Sequence, residues 1–138
     1  MPASYSIGKL PGMSPELAAK LRPLRIRSTG RFLEAARSPK GRRLLAEKTG
    51  IPECDLLEMA NAADRMRVPG LGHEYAELVR AAGVRTVKEL KCRTPANLAA
   101  KMAAANKSKK LVGILPSQNK VSRWIEAAKK LPLKITYR

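Results

Sequence analysis

Histidine and cysteine are nearly absent from this sequence. His73 is the single histidine, and Cys54 and Cys92 are the only cysteines in 138 residues. A structural zinc site takes four close nitrogen or sulfur ligands, and no CxxC spacing occurs, so no metal site and no cofactor is expected. The two thiols lie far apart in sequence, and nothing indicates a disulfide. Aromatic residues are also few: Tyr5, Phe32, Tyr75, Trp124 and Tyr137. A stacking platform for unpaired bases has little to build on. β-Branched runs are scarce and the apolar residues are mostly Ala and Leu, which favours helices over sheet. Neither a leader-type apolar stretch nor a run of transmembrane length is present, so a soluble, cytoplasmic protein with no membrane partner is expected. Acidic residues are the last shortage. There are 11 Asp plus Glu against 28 Lys plus Arg, a formal net charge of +17. Solubility of a small domain needs a net charge of only ~2–8. A larger surplus repels itself and is tolerated most easily beside a polyanion.

Enough apolar residues are present, at 44%, to build a packed core, and the length fits one ordinary domain or two very small ones. The chain also repeats itself. Leu10-Pro-Gly-Met-Ser-Pro-Glu-Leu-Ala-Ala-Lys-Leu21 returns 58 residues later as Val68-Pro-Gly-Leu-Gly-His-Glu-Tyr-Ala-Glu-Leu-Val79. Further matches follow: Ile26 to Ser28 with Val84 to Thr86, Ser38-Pro39 with Thr94-Pro95, and Ile51-Pro52 with Leu115-Pro116. The expected architecture is all-α, with two tandem repeats, 1–66 and 67–138, packed together.

Capping residues predict the helices. Ser14-Pro15 opens a short one that Pro23 closes. Ser28 caps one reaching about Ala36, and Ser38-Pro39 opens one ending at Gly50. Residues 53 to 66 form a longer helix with Leu56, Leu57, Ala60, Ala63 and Met66 on one face. Gly72 precedes a helix stopped by Gly83. Thr86-Val-Lys-Glu89 reads as a capping box, in which each end residue caps the other's amide. Thr94-Pro95 starts a helix ending near Asn106, followed by a short basic helix. Ser117 to Leu131 forms the last, with Val121, Trp124, Ile125 and Ala128 on its core face. Tyr5 and Ile7, and Leu133, Ile135 and Tyr137, alternate with polar residues. They predict short extended terminal segments that pair with each other.

Val68-Pro-Gly-Leu-Gly72 carries the chemistry. Glycines at alternate positions allow a tight turn between helices and let backbone amides approach a ligand closely. Those amides sit where the positive end of the following helix dipole gathers, so a phosphate fits without any side chain. Val68 and Leu71 anchor the turn, and Ala76 permits close helix packing. The pattern apolar-x-Gly-apolar-Gly-x-x-x-Ala, here Val68, Gly70, Leu71, Gly72 and Ala76, resembles the helix-hairpin-helix superfamily, a SAM-like fold. The whole chain also resembles an uncharacterised bacterial domain-of-unknown-function family with two such repeats, most clearly from Met66 to Leu131. The resemblance implies DNA binding without sequence preference, by hairpin amides on phosphates. It equally admits protein-interaction modules. DNA glycosylases with a related hairpin follow it with a lysine and an aspartate. Here Asp55 and Asp64 both precede it, and no other catalytic constellation is present, so no enzyme activity and no catalytic residue is expected.

The expected nucleic-acid contacts are therefore Gly70, Leu71, Gly72 and His73, with Arg65, Arg67, Arg80 and Arg85 reaching the flanking phosphates. Gly12 and Ser14 form a divergent first hairpin, with serine in place of the second glycine. Lys107, Lys109, Lys110 and Lys120 make a basic patch. Residues 1–66 carry net +5 and residues 67–138 net +12, so the second repeat should supply most of the electrostatic attraction. The expected partner is nucleic acid, double-stranded DNA first, with a nucleoid-associated location. A protein-interaction module and an RNA-backbone binder stay open beside it.

Overall fold

The computed structural model describes residues 4–137 and leaves the His73 side chain outside that description. The chain is all-α. Its helices are α1 (Pro15–Leu21), α2 (Thr29–Ala36), α3 (Pro39–Thr49), α4 (Glu53–Met66), α5 (Gly72–Ala81), α6 (Val87–Lys91), α7 (Pro95–Lys109) and α8 (Gln118–Lys129). Single 3-10 turns occupy Ile7–Lys9 and Arg22–Leu24. Among the described residues the only β pairing is one isolated bridge between Ser6 and Ser28.

Local chemistry explains the boundaries. The hydroxyls of Ser14, Ser28, Ser38, Thr86 and Ser117 each accept from the amide three residues on, at 3.1–3.2 Å. Each such cap is worth about 1 kcal/mol. Gly50, left-handed at φ 76°, closes α3. Two expectations need correction. Glu89 accepts from the amide of Arg85 (3.1 Å) rather than that of Thr86, so the capping box is shifted back by one residue. No separate basic helix follows Asn106, because α7 continues through Lys109 and stops at Lys110, left-handed at φ 51°.

One continuous core holds the fold. Leu10, Leu21, Phe32 and Leu33 join Leu56, Met59 and Met66 of α4, and these join Leu78, Leu90, Leu98, Met102, Trp124 and Ile125. Helix α4 packs against α2 and α3 and also against α5. The pairs α1/α3, α2/α4 and α3/α4 have counterparts in α5/α7, α6/α8 and α7/α8.

Among the described residues the terminal segments do not pair with each other. The amide of Ile7 donates to Arg27 (2.9 Å) and that of Thr29 to Tyr5 (2.8 Å), while Thr136 donates to Arg37 (2.7 Å). The two tails thus dock at opposite ends of α2, where backbone groups flanking the helix lack intrahelical partners. The C-terminal segment acts as a strap across the molecule. The buried Arg42 guanidinium donates to Ala36 (2.8 Å) and to Thr136 (2.7 Å). Lys91 donates to Leu131 (2.9 Å), Arg67 donates to Pro132, and Lys134 pairs with Glu34.

Truncation after Leu131 should therefore destabilise the protein by about 2–6 kcal/mol, since it strips acceptors from the buried Arg42 and Arg67 at ~1–3 kcal/mol each. Urea denaturation of the two chains checks this. An unchanged midpoint would show that the strap contributes nothing.

Candidate functional site

The hairpin forms where α4 stops. The Leu71 amide donates to Val68 (3.2 Å), which closes the turn. Val68 and Leu71 point inward and are buried, while Pro69 and Gly70 are exposed. Gly70 (φ 81°) and Gly72 (φ 71°) are both left-handed, a conformation that costs other residues about 1–2 kcal/mol each. Unlike the five capped helices, α5 has no side-chain cap. Among the described residues the amides of Gly70 and Gly72 find no acceptor within the protein. They lie at the positive end of α5. Glu74, exposed, is the acidic residue of that first turn.

Aromatic rings lie beneath and beside the turn. The indole nitrogen of Trp124 lies 3.7 Å from where a Gly70 Cβ would stand. The Tyr75 ring packs 5.3 Å from that of Trp124, tilted by 43°. Lys120 holds its ammonium 5.2 Å above the Tyr75 ring, a cation–π contact that brings α8 to the hairpin. The Tyr75 hydroxyl donates to Ile114 (3.0 Å), which ties down the loop after α7. Lys107, Lys109 and Lys110 are exposed where that loop begins. Asn106 fixes the loop with two bonds to Val112, one donated and one accepted, both 3.0 Å. Gly70 is thus joined through Trp124 and Tyr75 to Lys120 and to the loop at Ile114.

The other expected contacts lie elsewhere. Arg65 and Arg67 are buried, which removes both from any phosphate-facing role. Arg65 donates to the carbonyl of Arg85 (2.7 Å) and stands 4.0 Å from Glu77. Burial pushes its guanidinium down to about 10, so it stays charged at neutral pH. Arg67 pairs with the buried Asp64. Burial pushes that carboxyl up, against the pull of Arg67. Both arginines follow helix α4 inward instead of leaving it toward solvent. Leu71 is buried too and anchors the turn through packing alone. Arg80 and Arg85 are exposed, but both pair with Glu58. Burial raises the Glu58 carboxyl, and the two arginines outweigh it and hold it below the usual range.

The first hairpin differs in kind. Gly12 is left-handed (φ 84°) and exposed. The Ser14 oxygen, however, already accepts from the Leu17 amide, so it takes the place an anion would occupy on α1. Gly12 also lines a cleft of about 460 Å³ in which Asp55, Glu58 and Glu77 are joined by Arg65 and Arg80. The sequence reading missed Tyr75 and Asn106. Tyr75 sits three residues past Gly72, within one helical turn, and that spacing was available as a signal. Asn106 gave none, because its partners depend on how the loop folds back. Among the described residues no group of three or more His, Cys, Asp or Glu gathers to hold a metal. No helix among them is long and apolar enough to cross a membrane.

A family model described as a domain of unknown function, DUF4332, matches residues 11–131, and the chain belongs to that family. Comparison with curated proteins and with solved structures finds no match.

The arginines should separate cleanly by mutation. Arg67→Ala strands the Asp64 carboxylate in the core and should cost about 3–5 kcal/mol. Arg80→Gln and Arg85→Gln should leave stability nearly unchanged, as exposed pairs are worth roughly 0–1 kcal/mol. Because the Glu58 carboxyl is depressed in the folded state, its stabilising contribution is present above the ordinary carboxylate pKa of about 4.3. It is lost as pH falls through the lower folded value. Glu58→Gln should therefore flatten the stability profile in that acid window, read by denaturation at stepped pH. Equal losses at Arg67 and Arg80 would contradict these assignments.

Proposed function

We propose that this protein binds duplex DNA without sequence preference, through the phosphate backbone. The reading rests first on the Val68–Gly72 turn. Among the described residues its two left-handed glycines leave their amides without acceptors at the uncapped end of α5, whose Tyr75 ring carries Lys120. A phosphate oxygen placed there accepts from those amides and meets the partial positive charge of the helix. Lys107, Lys109, Lys110 and Lys120 then neutralise neighbouring phosphates. No base edge is read by such contacts, so binding follows backbone geometry and not sequence.

The turn resembles a helix-hairpin-helix element, and we read the chain as two copies of that unit. The matching helix pairings and the left-handed glycines at Gly12 and Gly70 support a duplication. The two copies have diverged in role. The second carries the ligand site. The first has its helix capped by Ser14, so it serves mainly as a packing partner. No catalytic role is assigned to any residue.

Fluorescence anisotropy with duplexes of unrelated sequence tests the reading. Affinities should agree closely between sequences. With about five to eight phosphates neutralised, the log–log salt slope should lie near −4.5 to −7, at roughly −0.9 per phosphate. Gly70→Val and Gly72→Val should weaken binding, with circular dichroism as the folding check. Lys109→Glu with Lys110→Glu should lower both affinity and slope. Glu74→Gln should raise affinity, since it removes the carboxylate beside the amides, and Gly12→Val should matter little. Absence of binding to duplex DNA, single strands and duplex RNA at low salt would reject the proposal in favour of a protein partner.

A further inference from the structure

The loop between α7 and α8 is held in place, yet it presents apolar side chains to solvent. Ile114 is 80% exposed, the most open large hydrophobic side chain among the described residues. Leu111 and Leu115 flank it at 39% and 44%. A mobile loop would be expected to fold such residues inward, because burying them is favourable. Here hydrogen bonds fix the loop backbone. Asn106 grips Val112 on one side of Ile114, and the Tyr75 hydroxyl grips the carbonyl of Ile114 itself. The loop's position is also specific. Tyr75 belongs to the first turns of α5, and Lys120 lies over its ring. The apolar tip is therefore tied to the first turns of α5, whose Tyr75 ring also carries Lys120, and the exposed Lys107, Lys109 and Lys110 precede it at the end of α7.

We infer that Ile114 is a wedge that enters an unstacked step of the DNA held by the hairpin, giving the protein a preference for gapped, bulged or mismatched duplex over intact duplex. This rests on the backbone-binding reading above and adds a structural specificity to it. Apolar side chains that enter a base stack must first separate the bases, at a cost of a few kcal/mol per step. At a gap or bulge the stack is already broken, so the gain from burying Ile114 appears as selectivity. The lysines at the end of α7 and Lys120 on Tyr75 point to a polyanionic partner, and the fixed loop avoids the ordering cost that a flexible one would carry. Leu111, Ile114 and Leu115 are too few for the broad apolar face that a lipid surface rewards, and Ile114 is the most exposed of them.

The test compares a labelled intact duplex with the same duplex carrying a single-nucleotide gap, with 2-aminopurine opposite the gap reporting base unstacking. The full chain should bind the gapped duplex about tenfold more tightly, the order expected from burying one isoleucine less the remaining unstacking cost. Ile114→Ser should keep intact-duplex affinity within about twofold and lose the preference together with the 2-aminopurine change. Ile114→Leu should retain both. The position is exposed, so folding should be unaffected, and circular dichroism verifies it. Equal binding of gapped and intact duplex, or a preference that survives in Ile114→Ser, overturns the wedge and leaves the backbone reading standing. Absence of binding to either duplex overturns both. Anionic vesicle binding that Ile114→Ser abolishes, with no gap preference, overturns the wedge in favour of a lipid surface.

Discussion

The ion pair between Asp64 and Arg67 governs much of what surrounds it. It sits where α4 ends, and both side chains are buried. Arg67 also reaches the carbonyl of Pro132, so the same guanidinium joins the end of α4 to the chain just beyond α8. Two charges taken out of water are costly, and their mutual attraction offsets that cost only in good geometry. The geometry here requires that α4 stop at Met66 and that the C-terminal strap lie across it. Once those are set, Val68 and Leu71 fall into the core, and Pro69 and Gly70 are left at the surface. The hairpin is thus held by packing and by a buried pair, while the amides of Gly70 and Gly72 play no part in holding it.

Charge is distributed by the same logic. The chain carries a net +17, yet several of its cations are used internally. Arg42, Arg65 and Arg67 are buried and spent on carbonyls and carboxylates. Arg80 and Arg85 share Glu58, and Lys134 takes Glu34. The cations without such partners around the second hairpin are mostly lysines. A lysine ammonium on a flexible stem is a mobile point charge, suited to following a phosphate backbone without fixing one geometry. The arginines, planar and rich in donors, do the structural joining. This division of labour supports a partner bound through charge and shape.

Much of the fold was legible in the sequence because it is written in local chemistry. Ser14, Ser28, Ser38, Thr86 and Ser117 mark helix starts by the bonds their hydroxyls make, and Gly50 marks a stop. Helix α4 runs over the residues its apolar spacing predicts. The candidate site was half legible. Gly70 and Gly72 are readable because only a backbone without Cβ takes those angles freely, and that constraint acts within a few residues. Arg65 and Arg67 misled because a basic residue beside a hairpin looks exposed until the packing around it is known. Every residue from Asn61 to Val68 is buried, so no rotation of this segment leads to solvent, and no local signal announces that.

What the sequence determined by itself, then, is the all-helical class, the helix order, the turn at Val68–Gly72 and the excess of positive charge. Each follows from interactions between residues near in the chain or from composition. Tertiary structure alone decided which cations remain free, where the tails dock, and which residues stand beside the hairpin. Lys120, Tyr75 and Ile114 come from three segments, and their contacts exist only once α5, α8 and the loop are packed together. The tails looked alike as alternating strands, yet each found its partner at an end of α2, where backbone groups lack intrahelical partners. Hydrogen-bond demand is local, but the supply that meets it is set by the fold.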